Sequence, residues 1–123
     1  MNQHVYLVEM NFAPFANLPD PTELIAFIER MALPTFDALG RLEQSGRILA
    51  GGTTLAAIGL SFIIRVDSPQ ELEETMAGLP LWPRAQTRVQ PLGSFAWRAA
   101  QARQRLAQLK TRVAEASVPV AAQ

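Results

Sequence analysis

The chain contains no cysteine, which excludes disulfides, thiolate metal sites and a cysteine nucleophile. With no disulfide framework to point to an oxidising compartment, a cytoplasmic location is expected. Histidine is almost as scarce. His4 is the only one, at the start of an alternating stretch with no second ligand near it, so no metal site is expected. No apolar run is long enough for a bilayer. The N-terminal MNQHVYLVEM lacks a basic stretch ahead of an apolar core, so neither a membrane span nor a signal peptide is expected. The glycines of AGGTT (50–54) are not followed by Gly-Lys-Ser/Thr and open no clear helix, which excludes a phosphate loop.

What is present is an ordinary globular composition. The 123 residues are 49% hydrophobic and 18% charged, enough for one domain with a real core. Net charge is zero, but the two signs are segregated. Residues 1–83 carry four arginines against ten acids, and residues 84–123 carry seven basic residues against Glu115 alone. An acidic body with a basic C-terminal segment is suited to attract a second copy of itself. Nucleic acid is not expected as a partner: the body would repel phosphate, and no groove-reading or base-stacking motif appears.

The periodicities alternate between strand and helix. VYLVEMNF (5–12) reads as a strand with Val5, Leu7, Glu9 and Asn11 on one face and Tyr6, Val8, Met10 and Phe12 on the other. After the loop APFANLP, the DPTE motif starts a helix with Asp20 as N-cap, Pro21 at N1 and Glu23 closing a capping box. Leu24, Ile28 and Met31, continued by Phe36, Leu39 and Leu42, predict its buried stripe. Pro34 predicts a kink, and Gly46 a left-handed end. RILAGG is a short second strand. IGLSFIIRV (58–66) is a third, with Ile58, Leu60, Phe62, Ile64 and Val66 opposite Gly59, Ser61, Ile63 and Arg65. SPQE starts a second helix with Ser68 as N-cap and Leu72, Met76 and Leu79 as its stripe. QTRVQPL is a fourth strand, placed at an edge because Pro91 cannot donate to a ladder.

The order β-α-β-β-α-β predicts an α+β, ferredoxin-like domain over residues 1–93, with both helices on one face of a four-stranded antiparallel sheet. The other face, with Val5, Leu7, Ile63 and Gly59, is too apolar to leave in water. A second copy covering it would make a dimeric α/β barrel enclosing a cavity. Beyond this domain, SFAWRAAQARQRLAQLKTRVAEA (94–116) predicts a C-terminal helix capped by Ser94. Phe95, Ala99, Ala102, Leu106, Leu109 and Val113 form one coiled-coil-like seam. Residues 117–123 are expected to be a flexible tail. The helix is expected to act in oligomerisation, the alternative being a brace folded back on its own domain.

LVEM in the first strand, SPQELEETMAGLPLWP (68–83) and RVQPLGS (88–94) resemble the muconolactone isomerase family, which carries an LPLFP-type turn between its second helix and last strand. The resemblance covers roughly residues 5–94. It implies the same fold, high-order oligomers, and a cofactor-independent shift of a double bond in a lactone by proton abstraction and return. The chain departs from that family at Glu9, where the family carries a lysine. It departs again in ILAGGTTLAAIGL, where small and apolar residues replace arginine, histidine and tryptophan. Those replacements point to a different, more apolar ligand, or to no catalysis at all.

Glu9, mid-strand among apolar neighbours and facing the expected cavity, is the candidate catalytic residue, since a partly desolvated carboxylate suits a proton shuttle. Arg65 is a candidate to hold an anionic substrate group or to pair with Glu9. Ser61 is a candidate hydrogen-bond donor, and Asn11 a further polar group on the Glu9 face. Trp82, held between Pro80 and Pro83, is either a wall at the cavity mouth or a plug in the core. The alternative to an isomerase is a non-catalytic oligomeric module that binds a small ligand or only assembles.

Overall fold

The structure, a computed structural model, describes residues 4–12, 20–54 and 59–117. The loop at 13–19, Ile58 and the tail beyond 117 lie outside the described residues. The chain divides into two units, Met1–Leu92 and Gly93–Gln123.

The first unit is an α+β domain built on a four-stranded antiparallel sheet. Strands β1 (His4–Phe12), β2 (Ile48–Thr53), β3 (Gly59–Val66) and β4 (Ala85–Leu92) lie in the order β2-β3-β1-β4. β4 is at an edge, where the missing donor of Pro91 is tolerated. Alternation sorts the side chains by face. Val8, Met10, Leu60, Phe62, Ile64 and Val66 are all buried on one side of the two central strands.

Helices cover that face. Asp20 caps α1 (Pro21–Phe27), its carboxylate accepting from the Thr22 N–H at 2.9 Å. The expected kink at Pro34 takes a specific form. Residues Ile28–Ala32 make a π-helical turn, in which the Leu33 N–H donates to the Ile28 carbonyl, before α2 (Leu33–Gln44) begins with Pro34 in its first turn. Proline lacks a donor and crowds the turn before it, and the wider turn absorbs both effects. The extra residue also re-phases the helix. Ala32 and Thr35 are buried, while Ile28 and Phe36, expected in the buried stripe, are each 40% exposed. Helix α2 ends in a Schellman arrangement: Arg47 N–H donates to Leu42 O, Gly46 N–H donates to Glu43 O, and Gly46 has φ 81°.

Ser68 caps α3 (Pro69–Ala77) by accepting from the Glu71 N–H, and Glu71 reaches back to the Asp67 N–H. Leu72, Met76 and Leu79 pack with Val8, Phe62 and Ile64 into the core.

Between α3 and β4, LPLWPRA is a run of tight turns. Trp82 N–H donates to Leu79 O and Arg84 N–H to Leu81 O. Pro80 and Pro83 have no N–H to offer. Leu81, only 1% exposed, therefore carries the one amide of the Pro80–Pro83 stretch that the turn leaves without an acceptor. The acceptor is Thr35 Oγ1, 3.1 Å away on fully buried Thr35 at the start of α2. This bond joins segments 46 residues apart.

The second unit contains α4 (Phe95–Ala116), 22 residues capped by Ser94, whose hydroxyl accepts from the Trp97 N–H. None of its residues is buried.

Candidate functional site

The face of the sheet opposite the core carries the polar groups. Strand register assembles it row by row. Glu9 on β1 lies between Ser61 on β3 and Arg88 on β4, with Gly52 of β2 beyond Ser61. The next row toward the start of β1 is Ala50, Ile63, Leu7 and Gln90. On the other side, Asn11 lies between Gly59 and Gln86. Directly opposed side chains in an antiparallel pair have Cβ atoms about 5 Å apart. The Glu9 carboxylate is thus within side-chain reach of one hydroxyl and one guanidinium.

Two glycines shape the surroundings. Gly52 has no atom within 4 Å of where a Cβ would stand, which leaves space beside Ser61. At Gly59 the space is filled by polar atoms: a Cβ there would meet Asn11 Oδ1 at 2.8 Å and Thr54 Oγ1 at 3.3 Å. Leu7, Glu9, Ser61 and Ile63 are half-buried in the single chain. The site is therefore a shallow polar patch, with Leu7 and Ile63 as its apolar neighbours, open on one side.

The structure brings together three of the residues singled out in the sequence, Glu9, Ser61 and Asn11. Arg65 does not join them. It opposes Val5, four residues along β3 from Ser61, or about 13 Å at the strand rise. Its guanidinium donates to the Gly46 carbonyl at 3.3 Å. The cross-strand pairing of Glu9 with Arg65 is therefore corrected: the cation beside Glu9 is Arg88. Arg88 is not legible beside Glu9 in the sequence, because the register of β4 against β1 is set only when the sheet closes. Gln86, Arg88 and Gln90 alternate as one polar face, and that was the available signal.

Trp82 lies in the turn between α3 and β4. It is half-buried and packs against the core within one chain.

A groove of about 170 Å³ runs between α2 and the β2 edge, lined by Phe36, Leu39, Gly40, Glu43 and Ile48 among others, and it shares Gly52 and Ser61 with the Glu9 row. Its lining is mostly apolar, with Glu43, Thr53 and Ser61 as the polar residues. Among the described residues, no three His, Cys, Asp or Glu side chains gather as a metal centre would require, and no helix is long and apolar enough to cross a membrane.

No protein-family model matches the chain, and no curated protein matches it either.

Proposed function

We propose that two copies pack their open sheet faces together as a ferredoxin-like dimeric α/β barrel. Its chamber would take a small, largely apolar carbonyl or lactone compound, on which Glu9 moves a proton without a cofactor. The observation that carries this reading is the row Ser61–Glu9–Arg88 on the open sheet face, with the apolar Leu7 and Ile63 in the next row. The reaction follows from the three groups. The Glu9 carboxylate takes a proton from the carbon next to the carbonyl. The C–H electron pair moves onto the carbonyl oxygen as an enolate, which the Arg88 guanidinium and the Ser61 hydroxyl stabilise by hydrogen bonds. Glu9 then returns the proton to a different carbon, the double bond is shifted, and the enzyme is regenerated. The resemblance of LPLWP and its flanks to muconolactone isomerases supports the same reaction class.

A second reading, a non-catalytic assembly module, is favoured by the same register. Arg88 stands directly opposite Glu9 and can occupy its carboxylate as a cross-strand ion pair.

Deuterium uptake from D2O into a panel of enones and unsaturated lactones, followed by NMR, separates the two. The proton-transfer reading expects uptake that falls by about 10²–10⁴ in Glu9→Gln, with the fold intact. An absence of uptake across the panel, together with a loss of stability in Glu9→Gln, supports the ion pair and refutes the catalytic role.

A further inference from the structure

Helix α4 presents an apolar seam, Phe95, Ala99, Ala102, Leu106, Leu109 and Val113, and none of these residues is buried; Phe95 is 95% exposed. The residues bordering the seam decide what can cover it. In heptad terms the seam occupies the a and d positions, and the flanking e and g positions from 98 onward are Arg98, Arg103, Arg105, Lys110 and Arg112. Every charged flank has the same sign, and Glu115, the only acid in the helix, lies outside them. Two α4 helices laid seam to seam would oppose arginine to arginine along their whole length. The seam therefore calls for a helix with apolar residues in line and acids beside them.

The acidic body has one such surface. Ile25, Ile28, Leu33 and Phe36 are between 40% and 56% exposed along α1 and α2. The π turn keeps them in line, because the Leu33 N–H bonds back to Ile28 and so stacks Leu33 one turn above it. Gly40 continues the ridge. Exposed Glu29, Asp37 and Glu43 stand three or four residues from Ile25, Leu33 and Gly40, on the same side of the helix. Of the two arginines of these helices, Arg41 stands one turn beyond Asp37 and borders a groove with Glu74 of α3, and Arg30 borders another with Glu23 and Arg84. The ridge from Ile25 to Glu43 and the seam from Phe95 to Val113 each cover 18 residue steps, about 27 Å of helix. At the end of the ridge, the groove lined by Phe36, Gly40 and Glu43 offers a recess for one large seam residue.

We infer that α4 docks its seam on the Ile25–Phe36 ridge of a second copy of this chain, with its basic flanks against Glu29, Asp37 and Glu43. This contact is separate from the sheet-face contact proposed above, and the two together extend the assembly beyond a dimer.

Sedimentation velocity of the full chain tests it with two charge-reversed variants, Arg103→Glu/Arg105→Glu on the seam flanks and Glu29→Lys/Asp37→Lys on the ridge. The intact chain should sediment as a larger species at low salt and shrink at about 1 M salt, where the Debye length is about 3 Å. Each variant alone should sediment as the smaller species. Mixing the two should restore the larger one, because the basic helix of one copy then meets the acidic ridge of the other. Unchanged sedimentation in both variants refutes the inference. Recovery when all four changes are placed in one chain, but not on mixing, assigns the helix to its own domain and also overturns it. Retention of a short oligonucleotide by the intact chain but not by Arg103→Glu/Arg105→Glu, with assembly unaffected, would make the basic face a phosphate-binding surface instead.

Discussion

Replacing Thr35 by valine isolates the hydrogen bond that anchors the LPLWPRA segment. Valine keeps the β-branched shape and the volume, so packing around the fully buried site is preserved. What is lost is the acceptor for the Leu81 N–H, which sits 3.1 Å from the Thr35 hydroxyl in a segment where two prolines leave no local substitute. A buried amide left without a partner costs about 1–3 kcal/mol, and the added methyl recovers up to about 1 kcal/mol of that. The expected net loss is about 1–2 kcal/mol, or roughly 4–8 °C in Tm for a domain of this size. Urea denaturation measures the sum, and amide hydrogen exchange at Leu81 identifies the cause. Protection of that one amide should collapse in Thr35→Val and survive in Thr35→Ser, which keeps the oxygen while giving up a methyl. Equal Leu81 protection in wild type and Thr35→Val, with no loss of stability, would refute the assignment of this bond as the anchor.

The same exchange of hydroxyl for methyl should act in the opposite direction at Thr87. Its Oγ1 is buried without a hydrogen-bond partner among the described residues, on the strand position opposite buried Met10, so Thr87→Val should gain up to about 1 kcal/mol in urea denaturation. Gly51→Ala should cost at least about 2 kcal/mol, because Gly51 has φ 152° and its Cβ would stand 2.5 Å from the Ser61 carbonyl oxygen. Gly52→Ala, with open space at the same point, should stay within about 0.5 kcal/mol, and a similar loss at both positions would argue against the close approach of β2 to β3. Leu7→Asp should leave the circular dichroism of the domain intact and yield a species that sediments as one sheet-face unit; retention of the wild-type dimer would place the dimer contact elsewhere. Ser94→Ala should weaken the first turn of α4 by about 1 kcal/mol, read as faster amide exchange at Trp97, the residue its hydroxyl caps.

The elements were legible in the sequence because their signals act over a few residues. The caps at Asp20, Ser68 and Ser94, the left-handed Gly46, the edge position of the Pro91 strand and the two-residue alternation of β1 and β3 all follow from local sterics and local hydrogen bonding. The alternation also determined that Glu9, Asn11 and Ser61 share one face and Val8, Met10 and Phe62 the other. The relation between distant elements was not written in any short stretch. Pro34 announced a disturbance, but only packing of Ala32 and Thr35 into the core chose a π turn over a simple bend. The partner of Glu9 depended on register, which pairs β1 with β4 so that Arg88, and not Arg65, stands across from it. Trp82 packs against the core in a turn whose Leu81 is tied to Thr35 from 46 residues away. Register and side are set by which apolar surfaces close over one another, a property of the whole sheet and its helices, and so only the tertiary structure decided them.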